Sequence, residues 1–530
     1  MEAYHPFQEN HAAMPLALAH RSTAPPGGSS RPVFRAGALT GALLLGLPAV
    51  ASPPWEPADL LAQALRRLYA GGTRPGERWR RERVVRTADG RRGPRGEVYR
   101  DDPHFVAAAE RLLASPAADD APLGAWLLAS TSDARAEPVL ASALDHPDRR
   151  VAFEAAVALG ARDGPLAREA LTRTAARSPV AEVRAAARWA AGEIARRGAA
   201  DGASPQPALP PDGSASLSPG FRRGVSWWMS EARGDDGRAS FRRLSRLGVT
   251  WVSIHTWDPL QRGLDEPLLA APSRRRFEAP RLEALVRRAH EAGLKVLFKP
   301  HLEMQWGAGP GTHNKVAMRT EADWRRWFSG YEGYLLPYAK AARSAGVDMF
   351  CVGRELDLTV IEREADWRRI VSLVRREFDG PLVYSANFDT WTSIGFWDAL
   401  DFIGVSAYFP LSKKEDPSLA ELGAGWDRAL SPLGEASRRF GKPVLLTEAG
   451  FPAVAAAARA PWQEPPSPPD VWAQARCYEA TLRALAARPF VEGAFFWLWE
   501  RSSDPPFRDA SHTIVDKPAS FTMARWYSAR

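Results

Sequence analysis

Val347-Asp-Met-Phe-Cys-Val-Gly-Arg-Glu355 is a short apolar run that stops on an arginine and a glutamate, and Pro443-Val-Leu-Leu-Thr-Glu-Ala-Gly450 is its later counterpart. Each has the length and the β-branched content of a buried strand, and each carries a glutamate at its carboxyl end. Burying a carboxylate there is costly. In parallel barrels the carboxyl ends of the strands are also where reactive groups collect. Several strand–helix units fit between the two runs, so the pattern places two glutamates at one face of a closed parallel sheet.

Working outward, eight strand candidates follow one another: Arg223–Trp228, Thr250–Trp257, Lys295–His301, Val347–Glu355, Leu382–Asn387, Phe402–Tyr408, Val444–Glu448 and Gly493–Trp499. Amphipathic segments lie between them, among them Pro280–Ala292, Glu321–Ala345, Ala365–Glu377 and Asp470–Ala487. Glycines stand where helices hand back to strands, at Gly248, Gly293, Gly346 and Gly441, as left-handed C-caps require. The expected fold is α/β, a (β/α)8 barrel over residues 220–530. A doubly wound open sheet is the alternative, but the turn after the first strand, Val225-Ser-Trp-Trp-Met229, lacks its phosphate-binding glycines.

The preceding region is of another kind. Residues 52–198 are rich in alanine, leucine and arginine, and Asp148-Arg-Arg-Val-Ala-Phe-Glu-Ala-Ala-Val-Ala-Leu-Gly160 is echoed by Ala181-Glu-Val-Arg-Ala-Ala-Ala-Arg-Trp-Ala-Ala-Gly192. A weaker copy lies at Leu123–Ala129. This resembles an all-α array of HEAT-like repeats, with a plain helical bundle as the alternative. It predicts a bracing or protein-docking surface and no chemistry. Residues 199–219, rich in proline, glycine and serine, are the expected linker. Residues 1–51 are the expected leader: Arg31 and Arg35 precede an apolar run closing on Ala49-Val-Ala51, a signal-peptide pattern cleaved before Ser52. It predicts export to the periplasm or the medium, without stable membrane insertion afterwards; a retained anchor is the alternative.

The chain of 530 residues is 45% hydrophobic with a formal charge of +8, enough material for a large and a small domain. Its arginines are spread over helix faces and form no single stripe, which argues against nucleic-acid binding. Two cysteines, Cys351 and Cys477, make no disulfide framework and are expected as buried thiols, with a bridge between them as the alternative in an exported protein. The glycine-rich loop Trp306–His313 lacks the lysine and hydroxyl placement of a P-loop, and no metal-ligand spacing stands out.

Reading the strand ends off the sequence gives Trp227 and Trp228, His255 and Trp257, Lys299, His301 and Glu303, Arg354 and Glu355, Asn387, Tyr408, Glu448, and Trp497 and Trp499. Two glutamates ringed by tryptophans and hydrogen-bonding groups suit glycoside hydrolysis: one carboxylic acid protonates the leaving oxygen, the other meets the anomeric carbon, and aromatic faces stack on sugar rings. Glu303 and Glu500 are rival carboxylates. Of Trp497 and Trp499, which alternate with the core of the last strand, at least one is expected to be packing.

Residues from about 222 to 527 resemble glycoside hydrolase family 113, a retaining (β/α)8 family whose known members act on β-mannan. The similar passages include Lys299-Pro-His-Leu302, Trp324–Tyr331, Gly353-Arg-Glu-Leu356, Tyr384-Ser-Ala-Asn387, Asp401–Pro410, Thr447-Glu-Ala-Gly450 and Phe495-Phe-Trp-Leu-Trp499. The resemblance implies Glu355 as general acid/base, Glu448 as nucleophile and Tyr408 as its hydrogen-bond donor. It further implies Asn387 facing the cleft and Trp497 as the floor of the sugar subsite, with no cofactor and a β-linked polysaccharide as substrate. His301, Lys299, Trp257, Trp499 and Arg354 complete the expected substrate-binding set. The residue before the acid/base, commonly threonine in the family, is here Arg354. Pointing inward, its guanidinium favours the ionised form of Glu355, against the needs of a general acid; pointing outward, it is free to pair with Asp357. A barrel that binds glycan without cleaving it, with the helical repeats as a protein scaffold, is the alternative function.

Overall fold

The computed structural model describes residues 56–69, 84–86, 92–94, 99–198, 216–229, 236–268, 279–304, 313–502 and 504–528. The leader expected over 1–51 and most of the linker expected over 199–219 lie outside them.

Seven helices come first: α1 Pro57–Leu68, α2 Phe105–Leu113, α3 Asp120–Ala129, α4 Ala136–Ala143, α5 Arg149–Leu159, α6 Pro165–Arg177 and α7 Ala181–Gly198. Small side chains let them approach closely. A Cβ at Gly124 of α3 would stand 2.6 Å from the Ala109 carbonyl of α2. The echoed valines, Val151 and Val183, are both fully buried, as stacked repeats require. Asp148 caps α5 by accepting from the Arg150 N–H at 2.8 Å. Arg162 donates to the Leu128, Thr131 and Asp133 carbonyls at 2.8–3.0 Å, satisfying acceptors at and beyond the end of α3.

The barrel follows as β1 Arg222–Trp228, α8 Arg238–Arg246, β2 Trp251–His255, α9 Ala279–Glu291, β3 Lys295–Lys299, α10 Glu321–Ala345, β4 Met349–Arg354, α11 Asp357–Glu362 and α12 Glu364–Glu377. It continues as β5 Leu382–Asn387, β6 Ile403–Ser406, α13 Leu419–Phe440, β7 Val444–Ala449, α14 Val471–Ala486, β8 Val491–Phe496 and α15 Pro518–Ser528. The eight strands pair in sequence order and close into a parallel barrel, which excludes the open sheet. Only two short 3-10 turns, Trp391–Ser393 and Trp397–Ala399, bridge β5 and β6. Gly346 and Gly441 end α10 and α13 in the left-handed region, at φ 75° and 62°.

Period-two alternation grades the barrel interior from bottom to top. Trp251, Leu297, Met349, Cys351, Val383, Phe402, Leu445 and Phe495 form an apolar cluster separate from the main core. Above it lie small hydroxyls, with Ser385 2.6 Å from Thr447 and 3.1 Å from Ser406. The next residues along the same strand faces, His255 and Lys299, reach the mouth. Several strands stop two or three residues before the sequence pattern suggests, so Trp257, His301, Tyr408 and Trp499 lie on the connections beyond them. A small parallel pair, Asp258–Gln261 with Leu302–Met304, extends β2 and β3 upward and carries Glu303.

Residues 55–530 cluster as one unit, and aromatic contacts join the helical layer to the barrel's last two helices. Phe153 of α5 lies edge-on to Trp472 of α14 at 6.0 Å and to Phe521 of α15 at 5.3 Å. Trp189 of α7 meets Phe521 at 5.6 Å, and the Arg149 guanidinium lies 4.3 Å over Trp472. Arg246 of α8 pairs with Glu193 of α7 at 2.8 Å. Cys351 and Cys477 are buried free thiols, and burial pushes Cys477 up to about 12. Among the described residues no helix is long and apolar enough to cross a membrane.

Candidate active site

Glu448 stands near the top of β7, 2% exposed. Lys299 from β3 places its Nζ 2.5 Å from Glu448 Oε1, and the Tyr408 hydroxyl donates to Oε2 at 2.9 Å. Lys299 is fully buried, and such a cation is tolerated only beside an anion. Burial, with the charges of Glu448 and Glu355 behind it, pushes the Tyr408 phenol well above its ordinary range, so it stays a donor. Both carboxylate oxygens of Glu448 are thereby fixed in direction.

Glu355 follows β4 directly, with φ 51°, a left-handed conformation unusual for a residue with a Cβ. Its N–H donates to the Ser385 carbonyl at 2.8 Å, so the turn that swings the side chain over the mouth is tied to β5. Arg354 points inward. Its guanidinium bonds Glu355 Oε2 through one nitrogen and Glu303 Oε1 at 2.5 Å through the other. His313 completes the ring, 3.4 Å from Glu355 and 3.5 Å from Glu303. Burial raises the Glu355 carboxyl, but Arg354, His313 and Ser406 outweigh it and hold the group well below the usual carboxylate range. Burial likewise opposes the charge on Arg354, and Glu355, Glu303, Glu448 and Tyr408 overcome it. One cation therefore feels both glutamates.

The remaining wall is aromatic. His255 and His301 share a hydrogen bond of 2.8 Å, with Trp228 5.5 and 5.1 Å from their rings and Trp497 5.3 Å from His255. Burial first, then the charges of Lys299 and Arg354, push both imidazoles well below their ordinary range, so they are neutral. His255, His301 and Glu448 offer ligand atoms within 4.8 Å of one another. A metal there would have to displace the Lys299 ammonium from Glu448 and break the imidazole pair. The group reads as a hydrogen-bonded wall.

Residues 225–516, more than half of the chain, match the family model described as Glycoside Hydrolase Family 113. The chain belongs to glycoside hydrolase family 113. Residues 107–192 match HEAT repeats. The GH113 β-mannanase AaManA from Alicyclobacillus acidocaldarius, solved with ManMIm, is 28% identical with a TM-score of 0.52 over 59% of this chain and 99% of that one. A GH113 β-1,4-mannanase solved as a complex is 24% identical, TM-score 0.52, over 58% of this chain and 99% of that one, a likeness of fold. No curated protein matches the chain.

Within this family 113 barrel the other expected residues divide. The Asn387 amide donates to Asp357 Oδ2 at 2.8 Å while Thr390 donates to Oδ1 at 3.0 Å. Burial, aided by the charge of Glu355, raises Asp357 to about 6 against those two donors. Trp257 is 46% exposed and lies edge-on to Trp228 at 5.9 Å, at the rim. Trp499 corrects the expectation of a cleft residue: it is 2% exposed, in the main core, with the Arg243 guanidinium of α8 at 5.4 Å from its ring. Alternation ends with β8 at Phe496, so Trp497 and Trp499 no longer share a face. The residues that reading the sequence underweighted are Glu303, ranked as a rival carboxylate, and His313, placed only in a loop. Both come from the connection after β3; the meeting of Glu303 with Arg354, and of His313 with Glu303 and Glu355, needs the closed barrel.

Proposed function

We propose that the barrel is a retaining glycoside hydrolase acting on a β-linked polysaccharide, with β-mannan as first substrate. The observation that carries this is Glu448, oriented by donors on both oxygens and sharing the influence of Arg354 with Glu355. Glu448 attacks the anomeric carbon as the glycosidic C–O bond breaks, and Glu355 passes its proton to the leaving oxygen. Water then displaces Glu448, giving its proton to Glu355. Mannan is favoured because the family member AaManA, 28% identical, is a β-mannanase. Arg354 is compatible with this chemistry through Glu303: when Glu355 carries its proton, the guanidinium keeps one carboxylate partner and is not left buried and alone.

The second reading, a barrel that binds glycan without cleaving it, is favoured by the same clamp, because it holds Glu355 ionised. Reducing-sugar release from mannan, glucan and xylan by the parent and by Glu448→Gln separates the two. The hydrolase reading expects release by the parent and a loss of about 10³-fold or more in the variant. Binding without release from any polymer would decide for the second.

A further inference from the structure

We propose that Trp462, backed by Phe388, is a stacking platform for a pyranose ring of the substrate chain, on the far side of the two glutamates from Trp497. The proposal rests on the reading of the barrel as a glycan-processing site and adds a binding residue to it.

Around the barrel the order is β8, β1, β2, then β3 and β4, then β5 and β6, then β7. Trp497, Trp228 and Trp257 belong to the first group, at or just past its strand ends. Phe388 follows β5 immediately, and Phe409 lies three residues past β6. Trp462 comes from the connection after β7 and lies over Phe388, ring centroids 5.0 Å apart and planes at 24°. Phe388 is in turn edge-on to Phe409 at 5.8 Å. Two aromatic groups thus occupy opposite sides of the mouth, and Glu355 after β4 and Glu448 on β7 stand between them. A sugar chain reaching from one group to the other passes the carboxylates.

Trp462 has one ring face packed on Phe388 and remains 44% exposed. A single exposed tryptophan needs no explanation on its own, but this one is held in place. His512, 4% exposed, donates from Nε2 to the Pro461 carbonyl at 2.6 Å and meets the Glu464 carboxylate through Nδ1 at 2.8 Å, fixing the residues on both sides of Trp462. The Leu411 N–H donates to the Ala458 carbonyl at 2.9 Å, tying the same loop to the connection after β6. The His512 ring lies edge-on to Tyr408 at 6.2 Å, and Tyr408 holds Glu448. The loop that carries the platform is therefore linked to the proposed nucleophile through two residues, His512 and Tyr408. A flat, open aromatic face carries negative charge density at its centre and takes the C–H-bearing face of a pyranose, which presents the opposite polarity.

The test compares kcat/KM on β-1,4-mannohexaose with kcat/KM on 4-nitrophenyl β-D-mannoside, for the parent, Trp462→Ala and Trp462→Tyr. The ratio of the long to the short substrate is expected to fall about tenfold in the alanine variant, the scale of one lost aromatic anchor, and to stay within about threefold of the parent in the tyrosine variant. An unchanged ratio, or an equal loss on both substrates, overturns the proposal. Calorimetric binding of mannohexaose to Glu448→Gln, with and without Trp462→Ala, separates this from the hydrolase reading. If the parent cleaves nothing but binding weakens about tenfold on losing Trp462, the platform stands and the hydrolase reading falls. If binding is absent or unchanged, the platform falls whatever the activity.

Discussion

Replacing Arg354 by threonine tests the clamp most directly. A general acid works in its protonated form, so an enzyme whose Glu355 titrates low loses kcat/KM as pH climbs above that low value. Arg354 and Glu355 are in direct contact with side chains only 12% and 11% exposed. At an effective dielectric of about 20, unit charges about 4 Å apart interact by roughly 4 kcal/mol, equivalent to about three pH units. His313 and Ser406 remain in the variant and still favour the anion, so the falling limb is expected to move upward by about one to three units. Glu303 loses its guanidinium too, and the double variant Arg354→Thr with Glu303→Gln removes the charge left behind. The assay is kcat/KM on mannan oligosaccharides from about pH 2 to 9, to take in the low limb of the parent, beside a 2,4-dinitrophenyl glycoside whose leaving group needs no proton. The limb should shift for the oligosaccharide and hardly at all for the aryl substrate. A limb that stays put in both variants, or moves to lower pH, refutes the assignment of Arg354 as the group that holds the proton off Glu355.

Two further predictions concern burial. Lys299→Met strips the ammonium from a fully buried pair and leaves Glu448 a buried carboxylate without the cation in contact with it; unfolding free energy by urea should fall by about 3–5 kcal/mol, with activity lost alongside. A variant as stable as the parent would mean that the pair does not form in solution. Phe153→Ala removes the ring wedged between Trp472 and Phe521 and should cost about 3–5 kcal/mol in the same measurement. A wild-type urea midpoint would show that the helical layer does not dock on α14 and α15 through this residue.

The barrel itself was legible in the sequence because its signals are local. Apolar runs of strand length, helical periodicity between them and glycines such as Gly346 and Gly441 at the returns are fixed by neighbours a few residues away. Glu355 and Glu448 were legible for the same reason: each ends a strand, and parallel closure puts all such ends on one face. What the local pattern left open is where side chains meet across the fold. Arg354 had two directions to choose from, and only the return of the chain past β3, bringing the Glu303 carboxylate to one of its nitrogens, decides for the inward one. Trp497 and Trp499 look equivalent until β8 stops at Phe496 and the chain turns, sending one to the wall of the site and the other beneath Arg243. The helical array reads as a separate module in the sequence, yet Phe153, Trp189 and Phe521 interlock across more than 300 residues of chain. The sequence determined which segments become strands and which carboxylates crown them. Tertiary closure decided the charge partners that come from distant parts of the chain, Lys299 for Glu448 and Glu303 for Arg354, because such pairing depends on distance in space and carries no trace in the spacing along the chain.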